Sequence, residues 1–463
     1  MKLLCAADLH LGRRPSRLPA ELGDVHGLEA DLMPQAAWRR LVEVAVGERV
    51  TAVLLAGDLL DDEHDYFETF GDLRAGVERL IEAGVEVLAV SGNHDVAVLP
   101  RLARTVPGLR VLGLGGSWEV ATLTDDDITV HVAGWSYPQP YVDTSPVPHL
   151  AAALEGLATG TVVGLLHCDR DQTGSRYAPV TSAELDSAPV DAWLLGHVHK
   201  PDFGPRQRAG SVTGRYSGYL GAISPADPGE EGVFGAWLIE VEGSKEQPLG
   251  VRRVPLAGLR YETVTLDAGD VAAPEELVVA VSARVSELAA EIEADSESDA
   301  PLLALGVRLR LVGRSPDRAE LARALVTDDP RRLVLGVGTG GPVVFVHDHR
   351  FEVGPTHDLE AIAAGHDPLA LVARSLLLLE YDVADPEAGP ERARDGDRDR
   401  ARERARERGM LLEAARANLD SIGGGRHYTA LPPADLSDEV LTGLLRRAAL
   451  DLLDAMLASR DAA

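Results

Sequence analysis

The run Val85-Glu86-Val87-Leu88-Ala89-Val90 leads directly into Ser91-Gly92-Asn93-His94-Asp95, and this junction decides the fold. The apolar run has the length and β-branched content of a buried strand. Gly92 lets the backbone turn sharply where the strand ends. An amide, an imidazole and a carboxylate then stand side by side at the mouth of a sheet. The Asn93 carbonyl oxygen is a ligand for a hard or borderline metal ion. His94 can donate a proton or a hydrogen bond near neutral pH, and Asp95 is placed to hold its ring in one tautomer. A single turn of this kind is more often just a loop. Its meaning comes from four other stretches set the same way.

Those stretches are Asp8-Leu9-His10, Gly57-Asp58, His167-Cys168-Asp169 and Gly196-His197-Val198-His199. Each closes an apolar run: Leu3–Ala7, Ala52–Ala56, Val162–Leu166 and Ala192–Leu195. A further run, Val130–Ala133, and helical segments at Pro34–Val46 and Phe70–Ala83 complete a repeating strand, loop and helix pattern. That pattern predicts an α/β fold whose active loops lie at the carboxyl ends of its strands. Gly218–Val241 followed by Gly250–Pro255 reads as strands closing a second sheet. On one shared rim, Asp8, His10, Asp58, Asn93, His167, His197 and His199 come within reach of one another. These seven oxygen and nitrogen donors exceed what one tetrahedral zinc needs, and they suit two ions sharing a carboxylate. In Asp8-x-His10 and His197-x-His199 the alternate residues point the same way from extended chain.

Other features are read blandly. Asp169 and Asp171 are loop solvation, Cys5 and Cys168 are buried small apolar residues, and His26, His64, His131 and His149 fit no ligand spacing. Arg13, Arg14 and Arg17 follow the first motif and either contact phosphates or decorate a solvated loop.

A chain of 463 residues with 45% apolar content builds more than one core. Two cysteines argue against a disulfide framework and for a reducing compartment, so the cytoplasm is expected. Five uncharged residues between Lys2 and Asp8 are too few for a signal-peptide core, and no run is long enough for a membrane span. A net charge of −29 repels nucleic acid except where basic residues cluster. Beyond the first 256 residues the pattern changes. Pro274–Glu293 carries a helical stripe, Val307, Leu309 and Leu311 alternate with Arg308 and Arg310, and Ser315-Pro316-Asp317 opens a helix. Residues 257–346 are therefore expected to form a small α/β module and 347–463 a helical region. The latter contains a charged stretch, 385–408, a helix from Asp367-Pro368 to about Tyr381, and an apolar stripe from Val440 to Met456.

The order Asp-x-His, Gly-Asp, Gly-Asn-His-Asp, His, Gly-His-x-His resembles that of the calcineurin-like metallophosphoesterases over the first 245 residues. Asp8-Leu9-His10-Leu11-Gly12, Gly196-His197-Val198-His199-Lys200-Pro201 and Gly218-Tyr219-Leu220-Gly221-Ala222 look like the SbcD-type DNA repair exonucleases. The resemblance implies a four-layer α-β-β-α sandwich with a small α/β capping domain at 257–346. It implies a site of two divalent ions, manganese before iron or magnesium, that hydrolyses phosphodiesters with a hydroxide shared between the ions. Asp8, His10, Asp58 and His199 would hold one ion, and Asp58, Asn93, His167 and His197 the other, with Asp58 bridging. His94 would act as acid or transition-state stabiliser with its ring fixed by Asp95, and His10 would share that duty. DNA is the implied substrate and an SbcC-like ABC-type ATPase the implied partner, with a second copy of the chain as another. This chain departs from some relatives in having Asp61 where they place a histidine.

The leading expectation is thus a metal-dependent DNA exonuclease or endonuclease. The alternative on the same site is a small-substrate phosphoesterase that cleaves nucleotides or phosphomonoesters. A decayed scaffold fits least, because all seven ligand positions hold competent residues.

Overall fold

The computed structural model describes residues 1–24, 28–61, 66–208, 211–242, 249–294, 302–336, 341–354, 356, 358–380, 395–423 and 437–461. Four parallel strands lead: β1 (Lys2–Ala6), β2 (Ala52–Ala56), β3 (Glu86–Val90) and β4 (Leu109–Val111). Apart from Lys2, Glu86 and Arg110, their residues are apolar on both faces, as a sheet covered on both sides requires. A second sheet takes β5 (Trp118–Asp125), β6 (Ile128–Trp135), β7 (Thr161–His167), β8 (Ala192–Gly196), β9 (Gly204–Arg208) and β10 (Ser211–Tyr219), in the order β5-β6-β7-β8-β10-β9. Then β11 (Gly235–Glu240) and β12 (Gly250–Pro255) return to the first sheet, whose order is β12-β11-β1-β2-β3-β4. The expectation that this last region closes a second sheet is corrected here. Only β10 joins that sheet, while β11 runs antiparallel to β1, with Lys2 opposite Glu240. A strand emerging from the last loop can satisfy its backbone at either open edge, and local sequence does not choose between them.

Period-two alternation sorts the side chains into layers. Leu3, Cys5, Leu54, Leu88 and Val90 of the first sheet meet Val130, Val132, Val163, Leu165 and Leu194 of the second. On the outer face of the first sheet, Leu4, Val53 and Leu55 pack with Trp38, Leu41, Leu73 and Val77. These last four come from α2 (Pro34–Glu48) and α3 (Tyr66–Glu82), which with the shorter α1 (Leu28–Leu32) and α4 (Leu99–Thr105) precede the second sheet. Outside the second sheet, Trp135, Leu166 and Trp193 pack on Leu150 and Leu185, from α5 (Leu150–Ala153) and α6 (Ser182–Ser187). The result is the expected α-β-β-α sandwich. Leu54, with no exposed surface, lies in the layer between the sheets. Leu54→Ala is expected to cost about 2–5 kcal/mol, read as a lower urea midpoint for this unit.

Past the sandwich, β13 (Leu259–Asp267), β14 (Ala304–Val312), β15 (Val334–Gly336) and β16 (Val343–Phe351) form a sheet ordered β13-β14-β16-β15. It is accompanied by α7 (Leu277–Ala294) and α8 (Arg318–Thr327). Val307, Leu309 and Leu311 are buried, so the alternation on β14 is as expected. The described residues divide into two compact units, Met1–Val264 with Ser282–Leu309 and Pro330–His349, and Thr265–Val281 with Arg310–Asp329 and Arg350–Ala463.

The second unit is largely helical, with α9 (Leu359–Ala363), α10 (Pro368–Glu380), α11 (Asp395–Gly423) and α12 (Asp438–Asp461). Leu450, Leu453 and Leu457 of α12 pack on Leu369 and Leu376 of α10, while Val440, Leu444 and Leu452 stay about half exposed. Of the charged stretch, 385–394 lies outside the described residues and the remainder belongs to α11. Among the described residues no helix is long and apolar enough to cross a membrane.

Candidate metal centre

The carboxyl ends of β1, β2, β3, β7 and β8 meet at one edge. After β1 the chain zips against the loop after β2: the Asp8 N–H donates to the Gly57 carbonyl at 3.1 Å and the His10 N–H to the Asp58 carbonyl at 3.0 Å. Asp8, His10, Asp58 and His197 have φ of +50°, +43°, +50° and +102°. Such conformations cost non-glycine residues about 1–3 kcal/mol each and persist where packing over-determines them. Gly92 allows a close approach. A Cβ there would stand 2.0 Å from Asp58 Oδ1, so only glycine lets the β3 loop reach the carboxylate.

All seven residues singled out from sequence as metal ligands come together. Asp8, His10 and His199 present ligand atoms within 4.8 Å of one another, as do Asp8, Asp58 and His167. His10 Nε2 lies 3.1 Å from His199 Nε2. His167 Nε2 lies 3.1 Å from Asn93 Oδ1 and 3.3 Å from His197 Nδ1. Asp58 Oδ2 sits between the groups, 3.2 Å from His167 Nε2 and 3.9 Å from His10 Nε2.

The electrostatics show what this donor set favours. Asp8 and Asp58 are buried carboxylates. Burial opposes charge on Asp58, yet His167 and His10 hold its carboxyl well below the usual range. Burial outweighs the nearby imidazoles at Asp8 and raises it. Burial also works against a charged His167, but Asp58 and Asp8 draw it up to about 9. His197, desolvated and beside that cation, falls to about 4. Buried carboxylates thus draw positive charge onto an imidazole, a demand that divalent ions on an oxygen and nitrogen donor set would meet. The residues fit such ions.

His94 is exposed and belongs to neither group that contains Asp8, although its ring offers a ligand atom within 4.8 Å of those of His10 and Asp61. Its backbone N–H donates to Asp58 Oδ1 at 3.0 Å, and its ring Nδ1 lies 2.9 Å from the Asp61 carbonyl oxygen. The expectation that Asp95 fixes this ring is corrected. Asp95 is fully buried and accepts from the N–H groups of Leu59 at 2.7 Å and Gly92 at 2.8 Å. Burial and the Asp58 charge raise it to about 7. It ties the β2 and β3 loops together and does not orient His94.

Three residues complete the site that sequence reading did not assign to it. Glu230 Oε1 is 2.6 Å from His199 Nδ1, a contact that lifts His199 against its burial. Asp169, read as loop solvation, lies 3.3 Å from His197 Nε2. Its position two residues past His167 was a usable signal, whereas Glu230 follows no strand and gave none. Asp61 lies 2.9 Å from His10 Nδ1, and that contact lowers its carboxyl. Arg13 faces Asp61 at 3.7 Å and Arg14 is paired with Glu29. His131 is buried between Thr122 and Ala158 and is structural. Burial raises both free thiols, Cys5 and Cys168.

Residues 1–201 match the calcineurin-like phosphoesterases. With the four-layer sandwich and its overlapping Asp/His groups, this segment belongs to the calcineurin-like metallophosphoesterase superfamily. The chain is 26% identical over 185 residues to the uncharacterized metallophosphoesterase YhaO of Bacillus subtilis, covering 36% of this chain and 40% of that one. It is 25% identical over 287 residues to the DNA double-strand break repair protein Mre11 of Aeropyrum pernix, covering 58% and 64%. The chain therefore spans about two-fifths and somewhat under two-thirds of these relatives' lengths. Among solved structures, TT1561 of Thermus thermophilus is 14% identical, covers 54% of this chain and 98% of its own, and has a TM-score of 0.33.

Proposed function

We propose that this chain hydrolyses phosphodiester bonds in DNA with two divalent ions, manganese before iron or magnesium. The observation that carries the reading is the meeting of Asp8, His10, Asp58, Asn93, His167, His197 and His199 in two groups around Asp58 Oδ2. One ion would be held by Asp8, His10, Asp58 and His199, the other by Asp58, Asn93, His167 and His197. Bound there, the pair would neutralise charge at phosphorus and activate water. The remaining work belongs to side chains. Facing a carbonyl, His94 Nδ1 must donate, which leaves Nε2 as the nitrogen that gains and gives a proton. His94 is therefore the acid for the leaving oxygen, with His10 beside it at a ring separation of 5.3 Å.

DNA as substrate is supported by the similarity to the Mre11 relative. The same reading takes 257–346 as a cap, 347–463 as a partner-binding region, an SbcC-like ABC-type ATPase or a second copy as partner, and the cytoplasm as location. One observation favours the small-substrate alternative: the Asp61 carboxylate beside His10 repels an incoming polyanion. Manganese-dependent hydrolysis of linear duplex DNA, run against a chromogenic phosphate ester, decides. Degradation of the duplex is expected, and hydrolysis of the ester alone would select the small-substrate reading. Glu230→Gln is expected to weaken metal binding by about 10–100-fold, measured by titration calorimetry. Unchanged affinity would remove Glu230 from the support of His199.

A further inference from the structure

We propose that Tyr141 and Arg176, backed by Tyr177, form a stacking platform for one nucleobase beside the metal centre. This rests on the reading that the site takes nucleotide-bearing phosphates. Two loops build the platform, one following β6 and one following β7, both at the edge that carries the ligands. They are pinned to each other by a bridge between Val142 and Tyr177. There the Val142 N–H donates to the Arg176 carbonyl at 2.8 Å and the Ala178 N–H to the Val142 carbonyl at 2.7 Å. Ala178 is held at φ +45°. The rings therefore ride on backbone that is fixed rather than on a free surface loop.

The rings run outward from the ligands in order. Tyr177 lies 4.8 Å from the His197 ring, tilted by 37°. Tyr141 lies 5.9 Å from Tyr177. The Arg176 guanidinium stands 4.8 Å over the Tyr141 ring. Tyr141 is 52% exposed although it is large and apolar over most of its surface. Arg176 is exposed and forms no ion pair among the described residues, unlike Arg170 with Asp202 or Arg14 with Glu29.

A planar cation on an exposed ring offers a flat, weakly hydrated face next to a site for anions. The ligand with both complements is a nucleotide, its phosphate at the metal ligands and its base against the guanidinium and ring. Stacking of this kind accepts any base, because every base has a π-face. It also needs the base out of a duplex stack, so the platform favours an unpaired or frayed end. An arrangement that merely filled surface would have no reason to continue from a candidate ligand ring outward.

The test uses the full chain loaded with manganese and two non-hydrolysable phosphonates, those of deoxyadenosine 5′-phosphate and of base-free deoxyribose 5-phosphate. Wild type is expected to bind the base-bearing compound about tenfold more tightly. Tyr141→Ala and Arg176→Ala should each bring the two affinities together without changing that of the base-free compound, and Tyr141→Phe should keep most of the difference. Equal binding of both compounds by wild type would overturn the platform, as would a Tyr141→Ala variant that weakens both equally. If base-dependent binding persists while duplex DNA is not cut, the platform stands and the DNA reading fails. Duplex cleavage with no base dependence would sink the platform alone.

Discussion

Asp58→Ala is expected to leave both metal positions empty and to lower kcat/KM on any phosphoester by at least about a thousandfold. The size follows from how many things one carboxylate does. Oδ2 reaches toward both groups of ligands, at 3.2 Å from His167 and 3.9 Å from His10. Oδ1 accepts the His94 N–H at 3.0 Å and so sets the loop that carries His94. The same charge draws His167 up and, with burial, helps raise Asp95 to about 7. Asp58→Asn separates charge from shape. The amide oxygen can still accept from His94, so the loop should hold while metal affinity collapses. Metal content after manganese loading, measured by atomic absorption on both variants beside wild type, checks this. Full occupancy in either variant would refute the bridging role.

The extent to which this site was legible follows from where its information lies. Strand ends are local: a run such as Ala52–Ala56, apolar on both faces, is buried in any α/β sheet, and the polar residue after it must emerge at the rim. Five such ends placed all the candidate ligands without any knowledge of pairing order. What stayed hidden is non-local or conformational. The edge chosen by β11 and β12 depends on which strand is left unpaired once the sandwich has closed. Glu230 reaches His199 across 31 positions from a loop with no periodicity. Neighbours on a tight turn point different ways, so Asp95 turned inward to Leu59 and Gly92 while His94 turned outward to the Asp61 carbonyl. Chain adjacency suggested a partnership that the turn forbids. In the second unit, Ser315-Pro316-Asp317 does open a helix, but the helix begins at Arg318, with the Ser315 hydroxyl accepting from the Asp317 N–H at 3.1 Å.

His94→Ala should part from Asp58→Ala in a way that a general loss of structure cannot imitate. The exposed ring contributes no atom to either group that contains Asp8, although it lies near His10 and Asp61. An alanine keeps the backbone N–H that Asp58 accepts. Metal content should therefore match wild type, while turnover of DNA falls by about 10²–10⁴-fold, the range for loss of a positioned proton donor. The loss must depend on the leaving group. A deoxyribose oxygen departs as a strong base and needs its proton early, whereas p-nitrophenolate leaves unaided. Under a role as general acid, the variant should be impaired far less on a p-nitrophenyl diester than on DNA. Equal impairment on both would reassign His94 to holding the phosphate. Loss of bound manganese would instead place its ring among the ligands, beside His10 and Asp61, with which it shares a cluster inside 4.8 Å.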